Sequence, residues 1–172
     1  MKATATYTEL FRPSAAGQKQ TICKHTNLTT MSTLNRCQAA LRIFGDDLIP
    51  EELSHLFNHP YTKGWVKGHE FTTSSGSVVV KKTGAWILEG EVTESGDFDG
   101  QIARLLGCID LSLGEWVSLA TRFEFDIFCG WFMRDSNEGI SVSPRTMRML
   151  VERNITLSVD IYAPPDDEPQ AS

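Results

Sequence analysis

Phe123-Glu124-Phe125-Asp126-Ile127-Phe128-Cys129-Gly130-Trp131-Phe132 is the stretch whose reading decides the fold class. Side chains of a β-strand alternate between two faces, so Phe123, Phe125, Ile127, Cys129 and Trp131 share one side and form an apolar surface. The other side carries Glu124, Asp126, Phe128, Gly130 and Phe132, two of them aromatic. Such a segment is expected to be a central, mostly covered strand, and it needs neighbouring strands and a layer of helices to cover it.

Both are legible on either side. Just upstream, Asp97 or Asp99 is placed to cap a helix whose Ile102, Leu105, Leu106 and Ile109 form one stripe. Ser112 and Glu115 then have the spacing of a capping box for a second helix carrying Leu113, Trp116, Val117 and Ala120. Downstream, residues 140–142 read as a brief strand. Ser143 caps and Pro144 opens a helix with Met147, Leu150 and Val151 facing inward. Asn154 is suited to the left-handed residue that closes it, and Ile155, Leu157, Val159 and Ile161 alternate as the last strand.

Further out, Leu41 and Ile43 share a face in a strand over 37–44, and Gly45-Asp46-Asp47 turns the chain. Pro50, the acids Glu51 and Glu52, and Leu53, Leu56 and Phe57 at i, i+3, i+4 describe a short amphipathic helix ending near Asn58-His59-Pro60. Residues 61–92 read as a β-meander punctuated by glycines, with strands around Trp65, at 77–82 and at 85–92. The fold class is therefore α+β: two layers, a mostly antiparallel sheet with helices packed on one face. An internal pseudo-repeat is one reading of the likeness between Arg42-Ile-Phe-Gly before Pro50 and Asp126-Ile-Phe-Cys-Gly before Pro144. Chance likeness of short amphipathic units is the other.

Composition places limits on function. The chain has 172 residues, 41% hydrophobic, with nine Phe and four Trp, enough for one real core. Residues 1–33 show no hydrophobic period and are expected to be a flexible extension, with Met31 a candidate start. The domain is expected over 34–163, and 164–172 is a Pro-rich acidic tail. A net charge of −6 without a basic stripe argues against nucleic acid as a partner. No apolar run reaches the roughly 20 residues of a membrane span. Four scattered cysteines without C-x-x-C spacing fit reduced thiols in a cytoplasmic protein.

Four stretches together resemble a known family: Leu41-Arg-Ile-Phe-Gly-Asp-Asp-Leu-Ile-Pro-Glu-Glu-Leu, Lys63-Gly-Trp-Val-Lys-Gly-His, Gly84-Ala-Trp-Ile-Leu, and the run from Ile140-Ser-Val-Ser-Pro to Val159-Asp-Ile-Tyr. They are similar to the bacterial domain-of-unknown-function family 4279 over about residues 34–162. Phe-Gly-Asp-Asp followed by Pro-Glu-Glu is the most specific part. The resemblance implies an α+β fold and a free-standing bacterial cytoplasmic protein, and it brings no catalytic residues with it.

Candidate chemistry is sparse. His55 and His59 at i, i+4, with His69 or Glu52, have metal-ligand residue types, but Pro60 ends the helix beside His59, and surface histidines near a helix C-terminus explain them. No metal and no cofactor is expected. Asp46 and Asp47 sit in a loop after a strand, where paired acids bind cations or merely solvate a turn. Lys63, Trp65, Lys67 and His69 are spaced two apart, and an extended backbone would present them on one face to an anionic ligand or an acidic partner surface, with Trp65 as an anchor. No G-x-S-x-G, paired Cys and His motif or phosphate-cradling loop is present. The expectation is a non-catalytic protein-binding module, such as an immunity protein that neutralises a toxin. The alternative is a small-molecule site or small enzyme using a groove between 45–47 and 63–69.

Overall fold

The computed structural model describes residues 36–92, 97–134 and 137–163. The expected extension 1–33 and the tail 164–172 lie outside the described residues. In chain order the elements are β1 (Arg36–Gly45), α1 (Pro50–Phe57), β2 (Lys63–Trp65), β3 (Glu70–Thr72), β4 (Val78–Val80), β5 (Gly84–Glu89), α2 (Phe98–Gly107), α3 (Leu113–Leu119), β6 (Glu124–Phe132), α4 (Pro144–Val151) and β7 (Thr156–Tyr162).

Five strands form one sheet in the order β2-β5-β1-β6-β7, and β3 and β4 form a separate two-stranded ribbon. Every pairing in the large sheet is antiparallel except β6 with β7. The fold is α+β with a mixed, open sheet. β1 holds the centre and β6 lies beside it, with Ile43 opposite Phe125 and Leu41 opposite Ile127. Cys37, Ala39, Leu41 and Ile43 are fully buried, as are Ile127 and Cys129 across the pairing. On the reverse side of β6, Asp126, Phe128 and Phe132 are half-buried, so the strand is closed on one face and half-open on the other.

Helix ends follow the sequence closely. Asp97 accepts from Gly100 N, the capping box of Ser112 and Glu115 forms in both directions, and Ser143 accepts from Thr146 N. The two stretches that echo each other become β1-α1-β2 and β6-α4-β7. Each helix starts with a proline and is followed by an asparagine at positive φ, Asn58 at 52° and Asn154 at 54°. β6 and β7 are adjacent and parallel. β1 and β2 run the same way but are separated by the antiparallel β5.

A chain of rings ties the layers together. Trp86 on β5 meets Phe57 on α1 edge-on at 5.0 Å, Phe57 stacks on Trp116 of α3 at 6.1 Å, and Trp116 meets Phe125 of β6 at 5.4 Å. The Trp86 indole N–H is not stranded in this core, because it donates to Ser54 Oγ at 2.9 Å. A second buried polar contact completes the sheet. Beyond the last pair of β1 with β5, Gln101 of α2 accepts from Ala39 N at 2.7 Å and donates to Cys37 O at 2.9 Å. An amide side chain thereby takes the place of a strand backbone.

Three expectations are corrected. Residues 140–142 form no strand. Ile140 and Val142 pack against the core from an irregular segment. Met147 and Val151 do not face inward: they are 49% and 78% exposed, and Thr146 and Leu150 are the buried positions of α4. Thr146 is buried where its hydroxyl accepts from Ser143 Oγ at 3.3 Å, and Ser143 N in turn donates to the Asp99 carboxylate at 3.2 Å. Residues 61–92 are not one meander, since β3 and β4 leave the main sheet as a ribbon with all six strand residues exposed.

Candidate functional site

The loop after β1 is fixed by close packing at two glycines. A Cβ on Gly45 would lie 2.5 Å from Phe123 Cδ1, and one on Gly84, its cross-strand partner, 2.6 Å from Leu48 O. Asp46 and Asp47 leave this crossing on opposite errands. Asp46 pairs with Lys67 from the ribbon's base, and Asp47 pairs with Arg122 from the turn before β6 at 2.8 Å. The Lys67 ammonium hydrogen-bonded to Asp46 holds that carboxyl below its usual range, and the Arg122 guanidinium does the same for Asp47. Both acids therefore stay charged and neutralised, which suits a brace more than a proton donor.

The segment from Lys63 is not extended throughout. β2 stops at Trp65, and a turn with Gly68 at φ 83° separates Lys67 and His69 from it. Lys63 is directed to Glu89 at 2.7 Å. The Trp65 indole donates to Thr83 O at 3.0 Å, and Lys81 sits over its ring at 3.7 Å and over the Phe71 ring at 4.6 Å. His69 is exposed at the base of the ribbon, where its carbonyl accepts from Lys81 N at 2.8 Å. The structure thus brings Asp46 to Lys67, gives Trp65 a cation from Lys81, and leaves Lys63 on another contact. Lys81, Phe71 and Arg122 went unmarked in the sequence. Only the register that sets Phe71 opposite Val79 would have found the first two.

Beside the glycine crossing lies an open depression of about 430 Å³ lined by Phe44, Gly45, Asp46, Thr83, Arg122 and Glu124. Neither Lys63 nor His69 lines it. On the sheet's half-open face Arg42 holds Asp126 through two hydrogen bonds, Nε at 2.8 Å and Nη2 at 2.5 Å, with Phe128 under the guanidinium at 4.2 Å.

Other reactive groups are dispersed. Among the described residues, no group of three or more His, Cys, Asp and Glu is placed to hold a metal ion. The helix ends at Phe57, and His59 Nδ1 lies 2.8 Å from Pro60 O. Burial pushes the Cys129 thiol up to about 12, so it carries no thiolate at neutral pH. No helix among the described residues is long and apolar enough to cross a membrane.

The model of the domain of unknown function DUF4279 matches residues 35–164, from the start of β1 to just past β7. The chain belongs to the DUF4279 family. No curated protein and no solved structure matches it. In this DUF4279 domain the match takes in every strand and helix of the described residues, so the loop and ribbon described above are part of the family domain.

Proposed function

We propose that the protein acts by binding a protein partner, in the manner of an immunity protein whose acidic domain occludes a basic toxin. The observation that carries this reading is the ribbon. Phe71, Val78, Val79 and Val80 are 38%, 62%, 40% and 51% exposed on an element with no core of its own beneath it. Phe71 and Val79 share one face of the ribbon and Val78 and Val80 the other, so both faces present exposed apolar side chains, which mark a contact site. Charge supports a macromolecular partner as well. Lys63, Lys67, Lys81 and Lys82 against Glu70 give residues 63–83 a net of +3, while the rest of 36–163 holds eight basic and 17 acidic residues, net −9. The acidic body favours a basic polypeptide, and the ribbon supplies the apolar anchor.

The test is binding to a basic toxin-like polypeptide encoded beside the gene, measured by calorimetry. Phe71→Ser should weaken it by at least about tenfold, as loss of an apolar anchor does. Asp46→Ala, which frees Lys67, should weaken it less. Unchanged affinity in both variants would remove the ribbon and its brace from the interface. The depression at Gly45 and Asp46 supports a second reading, a small-molecule site. A thermal shift with a metabolite that is lost in Glu124→Gln would favour it.

A further inference from the structure

Among the described residues the large sheet ends at β7, whose strand partner is β6 alone. Met133 N donates to Tyr162 O at 2.9 Å, so Tyr162 turns its backbone toward β6, and by alternation so do Asp160, Ser158 and Thr156. Leu157, Val159 and Ile161 turn their N–H and C=O groups outward, and among the described residues no hydrogen bond reaches them. The same three residues carry apolar side chains on the helix side of the sheet, and Ile161 is 63% exposed. On α4, which packs on β7, Met147 and Val151 are exposed one turn apart. Sheet edges of stable monomers are blunted by Pro, by charged side chains or by bulges, and β7 carries no Pro or Lys and one charge, Asp160.

We propose that this edge is filled by a second copy of the same chain, paired antiparallel about a two-fold axis at Val159. The strand Thr-Leu-Ser-Val-Asp-Ile-Tyr is self-complementary in that register. Val159 meets Val159, Leu157 meets Ile161, and all three outward-facing residues fall into hydrogen-bonded pairs, about six new backbone bonds in all. The one charged residue of the strand, Asp160, lands opposite Ser158 and not opposite its own copy. The axis stands perpendicular to the sheet, so both helix layers lie on the same side and the exposed stripes of α4 flank the seam.

Charge on the strand points to the same occupant. Tyr162 of one copy falls opposite Thr156 of the other, so no like charges meet along the seven paired positions.

Sedimentation velocity on the full chain tests this. At about 50 μM, above micromolar dissociation constants, the wild type should run as a dimer. Ile161→Lys, at a position already exposed, should raise the dimer dissociation constant by at least about tenfold. Val159→Pro, which removes an outward N–H and spares the ladder to β6, should do the same. Thermal melting confirms that each variant is folded, and if Val159→Pro is not, Ile161→Lys decides. A monomeric wild type, a dimer indifferent to Ile161→Lys, or a dimer abolished by Val78→Lys on the ribbon instead would overturn the proposal.

Discussion

β4 and β5 are neighbours in sequence, both short and both apolar, and they end in opposite environments. Ala85, Trp86, Ile87 and Leu88 of β5 are all at most 9% exposed, whereas Val78, Val79 and Val80 of β4 are 40% exposed or more. The difference is not hydrophobicity. β5 is paired on both sides and lies under α1, while β4 is paired with β3 alone and leaves the sheet. Apolar strand content predicts that a segment will be extended, and pairing decides whether it is buried. A two-stranded ribbon is marginal in water by itself, so its survival depends on the base at Trp65, Lys81 and Lys67.

The comparison can be broken by substitution, beginning with the largest effect. Trp86→Ala removes the ring that joins Phe57 to the sheet and strands Ser54, and should cost about 3–5 kcal/mol in chemical unfolding. A cost below about 1 kcal/mol would mean that β5 is not the anchored strand. Gln101→Leu keeps the volume but orphans Ala39 N and Cys37 O, and should cost about 1–3 kcal/mol for each group left unsatisfied. If the loss is negligible, the side chain is not completing the ladder. Val79→Ser on the ribbon should stay within about 0.5 kcal/mol by the same assay, as for a surface site. A loss comparable to Trp86→Ala would place the ribbon in the core.

The smallest effect is electrostatic. Asp46 and Asp47 have folded pKa values held below the ordinary carboxylate value by Lys67 and Arg122, so their contribution is present at neutral pH and fades as pH falls through the depressed values. Between about pH 6 and pH 3 the wild type should lose more melting temperature than Asp46→Asn/Asp47→Asn does, by a small margin because both acids are exposed. Parallel curves would show that the braces contribute nothing to the fold.

Local signals were legible in the sequence and long-range ones were not. The alternation of β6, the stripe of α2, the capping box of Ser112 and Glu115 and the proline starts of α1 and α4 each depend on residues a few positions apart. Periodicity gives the width of the apolar stripe on α4 but not its rotation, which turns Met147 and Val151 outward and depends on contacts such as Ser143 N to Asp99, 44 positions away. The candidate loop was visible as Gly45-Asp46-Asp47. Its partners Lys67 and Arg122 lie 21 and 75 residues on and depend on the sheet order. The ribbon was hidden for the same reason, since nothing local to Val78-Val79-Val80 distinguishes a free ribbon from a core strand.

Native-state amide hydrogen exchange tests the division between sheet and ribbon most directly. In the protein alone, amides of β1, β5 and β6 should exchange only with global unfolding, while those joining β3 to β4 should exchange through local opening, faster by at least about a hundredfold. Equal protection in the ribbon and the central strands would contradict the account.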